Sequence, residues 1–297
     1  MASVQAKLVN RYLRNTMKKL PLAEMEPTKI REVFEKRVIP FLPKSVERES
    51  VSGEVSGEWQ RPQNAKNGRT ILFCHGGGYV FGSPRTHRSM SYPLAVAGAA
   101  DVFSLDYRLA PENPCPAQIE DALLAYDMLI EQGRDPKSIW IAGDSAGGGL
   151  TLSTMLALRD RGGPQPAGGI TYSPWTDMTC SGASMSENIG SDVMFQISSI
   201  HGGAERYIGE LPADDPRASP LFADLEGMAP VLVFASNSEV LRDDGIRFAE
   251  RAREAGVDAE LIVEEGLAHV WPLFNPLIPE AKKAVNQSAA FIERTAP

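Results

Sequence analysis

An α/β architecture, a mostly parallel sheet covered by helices on both faces, is what this sequence predicts, and three observations carry the prediction. Short continuous apolar runs recur along the 297-residue chain, as strands buried on both sheet faces require. Stretches of helical length and period separate them, which is the alternation of a βαβ fold. The composition is that of a globular protein, with 43% hydrophobic, 23% charged and 7% aromatic residues, and excludes disordered, collagen-like and coiled-coil chains. The length suits one large domain, or one domain with a substantial insertion.

The elements follow in order. The first twenty residues carry Lys7, Arg11, Arg14, Lys18 and Lys19 with no acid, and Val4, Leu8, Tyr12, Leu13, Met17 and Leu20 recur at helical spacing. A transit peptide and a packed amphipathic helix share that pattern, and the scarcity of Ser and Thr favours the packed helix. A second amphipathic stretch spans residues 30–38, and residues 45–68 form a polar, Gly-containing interval. Residues 70–74 (TILFC), 101–105 (DVFSL), 138–142 (SIWIA), 169–172 (GITY), 231–235 (VLVFA) and 260–263 (ELIV) read as buried strands. Residues 117–131, 146–161, 244–255 and 279–294 read as helices, the third ending at Gly256 as a helix C-terminus should. Between Thr176 and Pro230 the alternation stops. A structureless loop of that length is improbable in a compact domain, so an insertion packed over the sheet edge is expected, with a helix near 198–207.

Thirty basic and 38 acidic residues give a net charge of −8, a poor match for nucleic acid, which needs clustered Lys and Arg. Cys74, Cys115 and Cys180 are too few and scattered for a disulfide framework and suit a reducing cytoplasm. No apolar run approaches the 18 or so residues of a membrane helix, so a soluble protein without integral membrane association is expected. Oligomeric state is left open, a homodimer included.

The segment Gly143-Asp144-Ser145-Ala146-Gly147 follows one predicted strand and opens a predicted helix. This is the setting a G-x-S-x-G nucleophile needs: a sharp turn exposes the serine at a helix N-terminus, where backbone N–H groups favour a developing anion. The bland alternative is a small-residue turn that lets helix and strand approach; the strand, the helix and the further Gly148 and Gly149 favour the nucleophile. His75-Gly76-Gly77-Gly78-Tyr79 directly follows the TILFC strand, and successive glycines let N–H groups turn inward to hold an oxygen becoming negative. No phosphate-loop motif occurs in either place. His75 reads as the anchor of the glycine loop rather than as a base. Of the other histidines, His87, His201 and His269, only His269 lies on the loop after the last strand, where a base following the order serine, acid, histidine belongs. His87 and His201 read as surface or lining residues, and no pair of histidines has metal-ligand spacing.

Taken with these motifs, the segments HGGGYVFGS, DYRLAPENPCPA, GDSAGGGL, YSPWTDMTCSGAS, SPLFADL, SEVLRDD and GLAHVWPLF, in that order, resemble the hormone-sensitive-lipase-like carboxylesterases, bacterial esterase family IV. The resemblance implies an α/β-hydrolase fold with a helical cap: residues 1–45 and 176–215 as cap, 46–175 and 216–297 as catalytic domain. It implies hydrolysis of short-chain acyl esters with no cofactor and no metal, by Ser145, His269 and an acid. The oxyanion would be held by the N–H groups of Gly77, Gly78 and Ala146. The DYRLAPE segment would brace the active-site loop. Where the family usually has Asp, this chain has Glu239, an accepted acid in the fold; Asp243 and Asp244 compete for the role but lie where a helix start already explains a carboxylate. An amidase would use the same triad. A non-catalytic receptor on this fold would lack the histidine, which is present here as His269.

Overall fold

The computed structural model describes residues 2–36 and 45–297. These form an eight-stranded sheet from β1 (Val46–Val51), β2 (Gly57–Pro62), β3 (Thr70–Cys74), β4 (Asp101–Leu105), β5 (Ile139–Asp144), β6 (Gly168–Tyr172), β7 (Val231–Ser236) and β8 (Ala259–Glu264), in the spatial order β1-β2-β4-β3-β5-β6-β7-β8. From β4 to β8 every pairing is parallel; β1 and β2 form an antiparallel edge. The helices are α1 (Val4–Thr16), α2 (Pro27–Glu35), α3 (Arg88–Gly98), α4 (Ala117–Glu131), α5 (Ala146–Asp160), α6 (Ser184–Glu187), α7 (Ile197–Ile208), α8 (Arg242–Glu254) and α9 (Pro279–Thr295). The apolar runs at 70–74, 101–105, 138–142, 169–172, 231–235 and 260–263 are strands within a residue or two, and 117–131 is a helix end for end. Val38, the last residue of the second amphipathic stretch, lies outside the described residues.

The period of two sorts the strands onto two cores. Leu72, Phe103, Ile141 and Val233 point into the core beneath α4, α5 and α8, while Ile71, Phe73, Val102, Trp140 and Leu232 point into the one beneath α3 and α9. Every residue of β3 is buried, the reason its sequence alternates in direction but not in polarity. Trp140 closes the second core by donating its indole N–H to Thr295 Oγ1 at 2.8 Å, which ties the sheet to the end of α9.

The polar interval 45–68 holds β1 and β2. β1 reads VERESV because it is an edge strand with most of its side chains in solvent. β2 is buried yet polar because Glu58 meets the Arg88 guanidinium of α3 and accepts from Gln60 at 3.0 Å. Burial would make an unpaired carboxylate costly, and the ion pair with its extra hydrogen bond offsets that. α3 carries no polar stripe because it is buried along most of its length and holds Pro93 inside it.

The N-terminal segment packs by its apolar positions. Leu13 and Met17 join Val193 and Ala268, and Leu22 and Ile30 join Val80. Its cations grip carbonyl oxygens of the 189–192 segment: Lys18 Nζ donates to Ile189 and Asp192, and Arg14 to Gly190. α7 answers with Arg206, which donates to the carbonyls of Leu22, Ala23 and Met25.

Phe291 of α9 is buried and its ring lies where any Cβ on Gly168 of β6 would come within 3.0 Å of it. Phe291→Ala should therefore lower unfolding stability by about 3–5 kcal/mol, read by urea denaturation, and a loss below about 1 kcal/mol would remove α9 from the load on the sheet.

Candidate active site

The six parallel strands deliver their following loops to one edge of the sheet, at their carboxyl ends, where open α/β sheets place their ligand crevice. The turn between β5 and α5 is the tightest. Ser145 has φ 53° and ψ −120°, a conformation that costs a non-glycine residue of order 1–3 kcal/mol. The turn closes because Gly147 has no side chain: a Cβ there would stand 2.0 Å from the Cys74 carbonyl oxygen. Hydrogen bonds hold it, from Ser145 N–H to the Tyr172 oxygen (2.9 Å) and from Trp175 and Gly149 N–H to the Ser145 oxygen (2.9 and 3.0 Å). Ala146 opens α5, so its N–H belongs to the helix's unsatisfied first turn.

The glycine loop after β3 faces this turn. Gly77 has φ 121°, and a Cβ on it would stand 2.0 Å from the Phe81 carbonyl oxygen, so only glycine fits; Gly78 has φ 60°. Asp144 holds the loop by accepting the Gly76 N–H on Oδ1 at 3.1 Å. On the far side His75 presents Nδ1 to the Gly76 oxygen at 2.8 Å and stacks on Tyr107, whose hydroxyl donates to the His75 oxygen at 2.7 Å. Burial, helped by neighbouring His87, pushes the His75 imidazole down to about 3. A ring so reluctant to accept a proton anchors the loop and is no base, and Tyr107 gives the DYRLAPE segment its bracing contact.

The histidine loop after β8 brings His269 Nδ1 to 2.5 Å from Glu239 Oε2, both side chains buried. Glu239 Oε1 accepts the Ser236 N–H at 2.7 Å, and Ser236 Oγ donates to the Leu267 oxygen at 2.7 Å, so the acid and histidine loops are fastened to each other. His269 Nε2 has no hydrogen-bond partner among the described residues and lies with Ser145, Gly77 and Gly78 on the wall of one cavity. Ser145 and His269 are thus on the same wall without a hydrogen bond between them.

Asp243 and Asp244 are occupied elsewhere. Asp243 accepts the Ser184 N–H and pairs with Arg242; Asp244 accepts the N–H groups of Thr176 and Asp177. Both lie in the first turn of α8, but they brace the 176–184 segment rather than cap their own helix. His201 is exposed on α7.

His87, read from the sequence as a surface or lining residue, is buried and lines the cavity, but the contacts of three contributors were not legible in the sequence. Asp192 accepts the N–H groups of Met194 and Phe195 on one oxygen and that of Val240 on the other. It thereby fixes Phe195 edge-on to His269, ring centroids 4.9 Å apart, beside the Glu239 loop. Asp144 and His87 form the other unforeseen pair, His87 Nε2 lying 3.4 Å from Asp144 Oδ2 while Nδ1 meets Thr86 Oγ1 at 2.8 Å. Burial alone would lower the His87 pKa; Asp144, with help from the Ser83 oxygen and Glu35, outweighs it and raises the value. An Asp inside G-D-S-A-G was a visible signal for this pair, but its partner lies 57 residues away in sequence and could not be matched to it.

Much of the remaining cavity wall is apolar, with Met17, Leu22, Ile30 and Phe34 from the N-terminal segment and Trp175 and Leu241 from the sheet side; Thr86, Ser199 and Arg206 are its polar members beside the His87–Asp144 pair. Among the described residues no group of three or more His, Cys, Asp or Glu side chains is placed to hold a metal, and no helix is long and apolar enough to cross a membrane.

A parallel sheet with a strained serine at a strand-to-helix turn defines the α/β-hydrolase class. The family model for the alpha/beta hydrolase fold matches residues 71–273. An acetyl-hydrolase of Streptomyces hygroscopicus is 41% identical over 82% of this chain and 81% of its own, and an esterase of Acinetobacter venetianus is 34% identical over 94% and 93%. Among solved structures, an esterase from the bacterial hormone-sensitive lipase family superposes with a TM-score of 0.95 at 38% identity, covering 100% of both chains, and EstE5 with 0.95 at 38%, covering 99% of both. The chain belongs to the hormone-sensitive-lipase family of the α/β-hydrolase fold and is a carboxylic ester hydrolase.

His87 binds a proton more tightly folded than unfolded, so the stability it contributes is complete below its unfolded pKa of about 6.5 and lost as pH rises through the higher folded value. The melting-temperature gap between wild type and His87→Gln should be widest below about pH 6 and shrink by about pH 9. A gap independent of pH would mean that the imidazole stays neutral beside Asp144.

Proposed function

We propose that the enzyme hydrolyses short-chain acyl esters through a Ser145-His269-Glu239 triad and a covalent acyl-enzyme. The observation that carries this reading is the 2.5 Å contact between His269 Nδ1 and Glu239 Oε2, which leaves Nε2 as the ring nitrogen available on the cavity side. His269 Nε2 takes the Ser145 proton as Oγ bonds to the ester carbonyl carbon. The carbonyl oxygen becomes negative and is met by the N–H groups of Gly77, Gly78 and Ala146. Collapse of this intermediate breaks the bond to the alcohol oxygen, which leaves with the proton from His269. A water deprotonated by the same nitrogen then attacks the acyl carbon, and Ser145 recovers its proton as the acid departs. Glu239 holds the imidazole in the tautomer with its proton on Nδ1 and stabilises the charged ring. No cofactor enters any step.

Short acyl groups fit a cavity of about 150 Å³ in which Phe195 stands against the imidazole and Trp175 and Leu241 close the sheet side. A crystal structure of EstE5, similar over nearly its whole length, was obtained with a p-nitrophenyl butyrate soak, and an ester of that class is the natural first substrate. Residues 1–45, of which 1 and 37–44 lie outside the described residues, form with 176–215 a cap on the catalytic unit of 46–175 and 216–297, a division supported by the carbonyl contacts of Lys18 and Arg206. Three free cysteines, two of them buried, suit a cytoplasmic setting.

Two measurements test the reading. An organophosphonate should add one adduct on the peptide bearing Ser145, and Ser145→Ala should abolish both adduct and turnover; labelling elsewhere with loss of activity would reassign the nucleophile. Glu239→Gln should stay folded and lose up to about 10⁴ in kcat, the loss seen when a triad acid becomes an amide, whereas near-native turnover would exclude Glu239 as the acid.

A further inference from the structure

α1 has two apolar faces and the fold uses one. Ala6 and Leu13 are buried, 1% and 3% exposed, and Met17 just past the helix is 7% exposed. On the opposite side Val4, Leu8 and Tyr12 follow one another at one-turn spacing with 71%, 64% and 62% of their surface in solvent, the three most exposed large apolar side chains among the described residues. Isolated exposed apolar residues are ordinary, but an aligned strip of them marks a contact surface.

Charge says what the strip contacts. Lys7 and Arg11 flank it on the next helical row, both exposed and without an ion pair among the described residues. The first twenty residues carry five basic groups and no acid in a chain of net charge −8. A second copy meeting this face about a twofold axis would oppose Lys7 and Arg11 to their own counterparts, and like charges across an interface are unfavourable. A lipid surface bearing phosphates matches both halves of the helix: headgroups take the cations, and the boundary beneath them takes Val4, Leu8 and the amphipathic ring of Tyr12.

We propose that α1 docks the enzyme reversibly onto an anionic lipid surface, lying in its plane with Val4, Leu8 and Tyr12 inserted and Lys7 and Arg11 on lipid phosphates. The inference stands apart from the triad assignment, because no residue in it touches the site. It has a consequence for the site all the same. Met17 lines the cavity, so docking lays the roof of that cavity against the lipid.

The full-length protein is sedimented with vesicles of phosphatidylcholine alone and of phosphatidylcholine with about one-third phosphatidylglycerol, at about 50 mM and about 500 mM salt. Partition is expected onto the phosphatidylglycerol vesicles at low salt and should fall more than tenfold at high salt. Leu8→Glu with Tyr12→Glu should reduce it at least tenfold, and Lys7→Gln with Arg11→Gln by about fivefold per residue, with hydrolysis of a water-soluble ester unchanged in both variants. No partition at low salt, or equal partition by the Leu8/Tyr12 variant, would overturn the proposal. So would a dimer in sedimentation equilibrium that the same variant dissociates while wild type ignores the vesicles, since the face would then be an interface between copies.

Discussion

Three stretches of backbone meet at the Ser145 turn with no side chain between them, and the rest of the site hangs from that approach. A Cβ on Gly147 would fall 2.0 Å from the Cys74 carbonyl oxygen at the end of β3 and 2.4 Å from that of His75, and a Cβ on Gly143 would fall 2.2 Å from the Gly147 oxygen. Strand β5, helix α5 and the glycine loop are therefore set to one another by hard-sphere contact as well as by hydrogen bonds. Such contact is stiff, because packed backbones cannot relax as an exposed side chain can. The energy stored in the serine's positive φ is held by this surround, with Tyr172 and Trp175 adding hydrogen bonds from the β6 loop.

A second fastening works through side chains. Ser236, Glu239 and His269 form a short relay that joins the loops after β7 and β8. Asp192 and Asn188 bring a third segment onto it, Asn188 donating to the Glu239 carbonyl oxygen at 2.8 Å. The imidazole is thus oriented from behind by a buried carboxylate and from the side by Phe195. The two fastenings also join behind the cavity, where Ser173 Oγ in the β6 loop accepts the Val270 N–H at 3.1 Å, so the serine turn and the imidazole loop share a support while their side chains face each other across open space.

How much of this was readable beforehand follows from where the information resides. The buried parallel strands and the helices between them announce themselves because continuous burial leaves an apolar run and one-sided burial leaves a 3.6-residue period. β1, β2 and α3 break those correspondences: an edge strand in solvent, a buried strand whose polarity is answered by Arg88, and a helix buried along most of its length. In the site, Ser145, Gly77, Gly78 and His269 stood out because local geometry demands their residue types at their places in the chain. Asp144, His87 and Asp192 did not, since each acquires its role from a partner distant in sequence. The basic N-terminus was ambiguous for a related reason. Arg14 and Lys18 bind backbone oxygens, which every residue carries, so no particular acid in the sequence betrays the contact.

That same choice of acceptor matters for how such a protein changes over generations. Arg206 holds residues 22–25 by three carbonyl oxygens, groups that survive almost any substitution. Exchanging the side chains of Leu22 or Met25 would change their packing beside Ile30 and Val80 but leave those three hydrogen bonds in place, and Leu22 forms part of the cavity wall. Part of the attachment is thereby independent of the side chains that shape the cavity, which gives drift and directed evolution a place to remodel its wall while the architecture around it stays intact.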